Sequence, residues 1–284
     1  MDWRLQIVKK AIMARIPFGA ALRRQKRRLF GYTLDPRNLR YTLDNLEVMK
    51  AELHAAGRSF SSATVLEIGS GWFPTIPVML AIESAKHVYM TDLTPNMDSV
   101  TFKSTIAFLK DAFPSEQRLK NVSSSDDLPL SYLAPFLVPD IPDKSIDYVI
   151  SRTVLEHIPP DDIVDFLASL RPKLVDDGLM IHLVDNSDHL EFADKSISRI
   201  NFLSWSQRQH ALFNWLMKDG ENRLRHHEYP PLFEKAGFKV VRELTSVDQP
   251  TLQRAKTLPL TTPYSTMCQD QLAALTSVFL LAKS

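Results

Sequence analysis

The chain is short of cysteine, glycine and long apolar runs. Its one cysteine, Cys268, excludes an intramolecular disulfide and a cysteine-based zinc site, which fits a reducing, cytoplasmic setting. No apolar run approaches the roughly 18 residues of a membrane span. Lys9 and Lys10 stand amid apolar residues near the N-terminus, without the apolar core and small-residue cleavage site of a signal peptide. There are only eight glycines in 284 residues, so Gly69 and Gly71, two apart, stand out. Neither sign of charge dominates the whole, since the net is +1. The distribution is uneven: residues 1–40 carry eleven Lys/Arg and two Asp/Glu, a net of +9, which leaves −8 for the rest.

The basic residues concentrate in Arg23-Arg24-Gln25-Lys26-Arg27-Arg28, among Ile12, Ile16, Phe18, Leu22, Leu29 and Phe30. A basic, partly amphipathic helix of this kind is either a solvated face or rests on anionic lipid or an anionic acceptor. The expectation drawn here is an anionic membrane surface, with peripheral placement at the inner membrane face. Nucleic acid is not expected, because the remaining chain is acidic and no nucleic-acid motif accompanies the run.

The rest is arranged around residues 64–82. Val65, Leu66 and Ile68 read as a buried strand with Glu67 near its end, Gly69-Ser70-Gly71 as a turn, and Ile76 to Ile82 as the start of a packed helix. Strand, glycine turn and helix make a nucleotide-sized cradle. It is not the dinucleotide one: Pro74 stands where the third glycine belongs, and the Glu67 carboxylate would repel a pyrophosphate. A nicotinamide oxidoreductase is disfavoured on that ground, and a cationic or hydroxyl-bearing ligand favoured. A second strand, 87–90, is followed by Asp92, 25 residues after Glu67, which suits one strand–helix–strand unit with an acid that accepts ribose hydroxyls.

Further along, the spacing predicts helices over 35–57 and 100–113 and a short third strand near 120–127. Residues 128–142, with four prolines, read as an irregular loop. A strand at 148–150, a helix at 161–174, a turn at Asp177-Gly178 and a strand at 179–184 follow. Residues 185–228 break the alternation and are rich in aromatics and histidine, as substrate loops are. A helix at 229–236, strands at 238–244 and 276–282, and a long connection with one helix near its end complete the chain. Alternating strands and helices mean a parallel sheet. The core domain is placed at 61–284, after a helical, basic segment at 1–60.

Glu67-Ile68-Gly69-Ser70-Gly71 resembles the first motif of class I S-adenosylmethionine-dependent methyltransferases, Glu/Asp-x-Gly-x-Gly-x-Gly, with Phe73 in place of the last glycine. Asp147 before an apolar strand, Ser151-Arg152, Glu156-His157, Asp177-Gly178 and the run from Pro231 to Phe238 follow in the order of that family. The chain is also similar to bacterial methyltransferases of glycan and surface-polysaccharide pathways. That likeness rests on Phe30-Gly31-Tyr32, the run from Gly69 to Pro74, Asp188-His189, the run from Asp194 to Ile197, and Asn222-Arg223-Leu224-Arg225. The resemblance implies a Rossmann-like, seven-stranded α/β sheet with helices on both faces, a reversed last strand, an N-terminal helical cap and a substrate-lid insertion at 185–228. It implies S-adenosylmethionine as cofactor, held by Glu67, Gly69, Ser70, Gly71, Asp92, Leu93, Ser151 and Arg152, with Asp126 or Asp127 at the adenine.

The implied chemistry is methyl transfer to a hydroxyl of a glycan or related small molecule, with a base to take its proton. His189 is the first candidate, oriented by Asp188 or Asp185, and His157 the second; His226 and His227 are expected on the lid. A divalent metal is not expected. Asp185-Asn186 resembles the acid–amide pair of catechol-type enzymes, but Arg152 stands where those need a second acid and would repel the ion. The alternative is a non-catalytic cofactor-binding or assembly subunit with the same fold.

Overall fold

The computed structural model describes residues 2–16, 25, 35–217 and 220–284. The basic run (Gln25 apart), Pro17, Gly19 and Phe30-Gly31-Tyr32 lie outside them, and so do the expectations placed there. Seven strands form one sheet: β1 (Thr64–Ile68), β2 (His87–Thr91), β3 (Leu130–Leu133), β4 (Ile146–Arg152), β5 (Leu174–Asp185), β6 (Phe238–Val247) and β7 (Ala274–Lys283), in the order β3-β2-β1-β4-β5-β7-β6. The first five are parallel, and β7 runs antiparallel to both its neighbours. This is a Rossmann-like seven-stranded sheet with the reversed last strand that the resemblance implies.

Successive residues of β1 serve opposite layers. Val65 joins Val88, Ile150 and Ile181 under α2 (Pro36–Ala55), α3 (Thr75–Ile82), α4 (Ser99–Ala112) and the short α5 (Gln117–Lys120), through Leu46, Met49, Leu80, Phe102 and Leu119. Leu66 joins Val149, Met180 and Phe279 under α6 (Pro160–Leu170) and α8 (Pro230–Lys235), through Ile163, Leu167 and Phe233. Helix α3 is apolar all round and all eight of its residues are buried, as expected of a helix sunk between sheet and neighbours.

Four expectations need correction. The boundary at residue 60 does not divide the structure: α2, capped by Asp35 and started by Pro36, buries Leu39, Leu46, Met49 and Leu53 in the same core as β1. The third strand is 130–133, inside the stretch read as an irregular loop, because Pro129 sits just outside it and Pro135 beyond it. Asp177-Gly178 is not a turn but part of β5, and the helix before it ends at Leu170. There the pairing of β4 with β5 shifts register, and a Cβ at Gly178 would lie 3.1 Å from the Asp147 carbonyl oxygen, so glycine permits close backbone approach. The β6–β7 connection holds α9 (Gln249–Ala255), capped by Asp248, as well as the expected later helix, α10 (Gln269–Ala273).

The insertion is packed. α7 (Gln207–Met217) buries Phe213 and Met217 with Leu190, against Trp3 and Ile7 of α1 (Trp3–Arg15). Ile200, Phe202 and Leu203 form a separate cluster with Tyr264 and Leu272 of the β6–β7 connection.

Candidate active site

The parallel register puts Ile68, Thr91, Leu133 and Ser151 at one edge, and the order reverses between β2 and β4 on either side of β1. Ligands of open sheets bind at such a switch point. A cleft of about 890 Å³ opens there.

Its first half is built on the strand tips. Gly69 and Ser70 each donate a backbone N–H to the Thr91 carbonyl at 2.9 Å, and the Thr91 hydroxyl donates to the Glu67 carbonyl at 2.7 Å. Gly69 and Gly71 sit at φ +75° and +69°, in the left-handed region that favours glycine. A Cβ at Gly69 would come within 2.6 Å of Val154 Cγ2. Glu67 is buried and accepts the Ser70 hydroxyl; burial pushes its carboxyl up to about 7, against the pull of Ser70 and Arg152. Asp92 accepts the Gly71 N–H at 3.1 and 3.2 Å and the Tyr132 hydroxyl at 2.9 Å, and burial raises its carboxyl above the usual range. Glu67, Gly69, Ser70, Gly71, Phe73 and Arg152 line the cleft, as do Asp35, Arg37 and Tyr41 of the first helical segment, whereas Asp92 sits behind the turn and does not. Leu93, beside Asp92, is 87% exposed.

Three expected residues stand elsewhere. The Asp127 carboxylate folds back on its own turn, accepting Ser123 N at 2.8 Å and Ser124 N at 2.9 Å. Asp126 shares that turn, which precedes β3 and so lies at the opposite edge of the sheet from the glycine turn. The Ser151 hydroxyl is buried against His182 Nδ1 at 2.8 Å and does not line the cleft.

The second half lies on the loops after β4 and β5. His157, Asp185 and His189 line the same cleft. Asp188 does not orient His189: its carboxylate is buried and caps the turn His189–Phe192, accepting Leu190 N and Phe202 N at 2.9 Å each. The partners of His189 are Glu221, 3.0 Å from Nδ1, and Asp185, 3.7 Å from Nε2. Burial disfavours a charged ring here, but the two carboxylates outweigh it and raise the His189 pKa to about 10. His189, the first candidate for the base, is therefore an imidazolium, which corrects that expectation. His157 is set differently. Its Nδ1 lies 3.2 Å from the Gly220 carbonyl, which can only accept, so Nδ1 carries the proton and Nε2 is the acceptor nitrogen. The two rings are 5.1 Å apart.

Sequence reasoning passed over Glu156 and Glu221 as site residues. Glu156 Oε1 accepts Asp185 N at 3.3 Å, Oε2 is buried with no partner among the described residues, and burial raises the group to about 8. Glu221 lies 32 residues from His189, and nothing local in the sequence marks the pairing. Glu156, His157 and His189 each bring one ligand atom within 4.8 Å of the others. His226 is not on the lid: it stacks on Phe279 of β7 with centroids 4.8 Å apart.

A second cavity, about 440 Å³, shares His157 with the first and is lined by Gln207, His210, Asn214, Asn222 and Arg223. Amides, a guanidinium and imidazoles are hydrogen-bonding walls suited to a hydroxyl-rich molecule.

No curated protein matches the chain in sequence. Its fold matches many solved structures. The magnesium protoporphyrin IX methyltransferase of Synechocystis PCC 6803, solved with S-adenosylhomocysteine, is 14% identical, with 97% of this chain and 100% of that one covered at a TM-score of 0.52. The cyclopropane synthase MmaA2 of Mycobacterium tuberculosis is 17% identical, with 85% and 84% covered at a TM-score of 0.49. At such identities the likeness is one of fold. The sequence profile of a family described as a methyltransferase domain matches residues 40–243, most of the chain, and this protein belongs to that family.

Proposed function

We propose that this methyltransferase transfers the methyl group of S-adenosylmethionine to a hydroxyl of a glycan or related small molecule. One observation carries the reading: a single cleft joins a glycine turn, with the buried Glu67 beside it, to a pair of histidines held by different partners. The residues present fit the donor. Asp92 is an anchored carboxylate at the strand tip, suited to ribose hydroxyls, and Glu67 is a buried carboxylate beside the turn, suited to a cationic ligand. Bound there, S-adenosylmethionine supplies an electrophilic sulfonium methyl.

The protein's own residues do the rest. Gly71 N–H and the Tyr132 hydroxyl hold the Asp92 carboxylate in place before any ligand arrives. The Gly220 carbonyl fixes the His157 tautomer, so that Nε2 takes the proton of the acceptor hydroxyl. His189, locked by Glu221 and Asp185, offers positive charge where the acceptor oxygen becomes negative. A placed base contributes about 10²–10⁴-fold, and alignment of the reactants roughly 7–11 kcal/mol in favourable cases. The base is thus His157 rather than His189. The preference for a hydroxyl acceptor rests on the similarity to glycan-pathway methyltransferases and on the polar walls of the second cavity.

The test is donor titration by calorimetry followed by turnover with glycan acceptors, with and without a chelator. Saturable donor binding and chelator-insensitive transfer to a hydroxyl are expected. Donor binding without turnover on any acceptor favours the non-catalytic subunit, and loss of turnover with chelator contradicts the metal-free reading.

A further inference from the structure

Helix α1 is apolar on two opposite sides. Trp3 and Ile7 face the body of the protein, where Trp3 stacks on Trp205 with centroids 5.5 Å apart. Leu5, Val8, Ile12 and Ile16, three or four residues apart, fall on the other side and are 62%, 55%, 59% and 40% exposed. On α7, Leu212 and Trp215 are also exposed. Arg15 links the two helices: its guanidinium donates to the Leu216 carbonyl at 2.8 Å and to the Trp215 carbonyl at 3.2 Å, and lies 4.3 Å from the Trp215 ring centroid. Arg4, Lys9, Lys10 and Arg15 are exposed beside this stripe.

Single exposed leucines are ordinary, whereas a stripe of large apolar side chains rimmed by cations is an interaction surface. Among the described residues no helix is long and apolar enough to cross a membrane. We propose that the outer face of α1, with Leu212 and Trp215, docks this protein on an anionic lipid bilayer. Charge selects the occupant. Residues 2–16, which form α1 and its ends, hold Arg4, Lys9, Lys10 and Arg15 against Asp2, a net of +3, whereas residues 41–284 carry −8, so an anionic surface attracts the α1 face and repels the remainder, which fixes the orientation. A second copy laid on the same face would bring two such positive segments together. Aliphatic side chains and a tryptophan beside cations match the bilayer interface, where apolar groups enter the acyl boundary and cations stay at the headgroups. The inner side of α7 carries Gln207, His210 and Asn214 of the second cavity. Docking therefore sets that cavity next to the lipid surface, whatever the acceptor is.

Co-sedimentation of the full chain tests this, with vesicles of phosphatidylcholine alone and of phosphatidylcholine mixed with phosphatidylglycerol. Binding is expected only to the anionic vesicles at low salt, and it should fall at least tenfold at high salt. The double variant Leu5→Ser/Ile12→Ser keeps every cation, including the Arg23–Arg28 run, and should lose most of the binding. Trp215→Ser is a second variant on the other helix with the same expectation. Unchanged donor affinity shows that each variant is folded. No binding of the parent to anionic vesicles overturns the proposal, as does full binding by both folded variants. A concentration-dependent dimer that Ile12→Ser disrupts, without vesicle binding, assigns the stripe to self-association and overturns it too.

Discussion

His189 and His157 lie within one ring-to-ring contact and are held by different partners. His189 meets two carboxylates and is charged; His157 meets a carbonyl and has a fixed acceptor nitrogen. Because the folded pKa of His189 is raised to about 10, its stabilising contribution is fully present below its unfolded value of roughly 6.5 and is lost as pH rises through 10. The stability difference between the parent and His189→Gln, measured by denaturant titration, should therefore shrink between about pH 6.5 and 10. A pH-independent difference contradicts the ion triad. Glu67 titrates in the opposite sense for binding: raised to about 7 by burial, it ionises as pH rises from 6 to 8. Affinity for the cationic donor should increase over that range and be flat in Glu67→Gln, as read by calorimetry. Asp92→Ala should weaken donor binding by about 1.5–3 kcal/mol, the scale of hydrogen bonds to a charged acceptor. Glu67 and Asp92 were legible in sequence because both sit at fixed offsets from local strand signals. Glu221 was not, because its partner is 32 residues away on another loop. Asp188 misled, since adjacency to His189 in sequence places its carboxylate on the backbone of its own turn.

At the scale of elements, the segment Asn222 to Arg225 clamps the lid to the sheet. Asn222 donates through Nδ2 to the carbonyls of Leu155 and Ile158 at 2.8 and 2.9 Å, and its N–H donates to Glu156 O at 2.6 Å. Arg223 reaches the carbonyls of Phe202 and Trp205, and the fully buried Arg225 reaches Asn186 O at 2.6 Å. The lid is thereby tied to the loop that carries His157. Asn222→Ala leaves the Ile158 carbonyl without its donor, while Leu155 O keeps the Ile158 N–H, and should destabilise the fold by about 1–3 kcal/mol in chemical denaturation, with a larger loss of turnover than of donor affinity. Gly69→Ala forces a left-handed Cβ against Val154 and should cost about 1–2 kcal/mol from backbone conformation before any clash is counted. Strands with both faces covered were readable as apolar runs, as β1 shows. β3 was hidden because four prolines surround four half-buried residues. The register shift at Gly178 was read as a turn because Asp-Gly signals both a turn and a backbone contact equally well.

At the scale of the whole molecule, α1 and α2 are packed parts of the fold rather than appendages. α2 packs into the central core and its first turn lines the cleft, while α1 braces the 185–228 insertion through Trp3 and Trp205. The sequence marked this region by charge and by a helix over 35–57, but nothing local to residues 36–55 reveals that their partners lie on the sheet. The central claim is that one cleft binds the donor and deprotonates a hydroxyl for it. The most direct measurement incubates the protein with S-adenosylmethionine carrying an isotopically labelled methyl group and a glycan extract, and reads the products by mass spectrometry. The account predicts label in an O-methyl ether, greatly reduced in Asp92→Ala through donor binding and at least about 10²-fold slower in His157→Ala with donor affinity intact. Label found only on nitrogen or carbon, or normal transfer by His157→Ala, contradicts it.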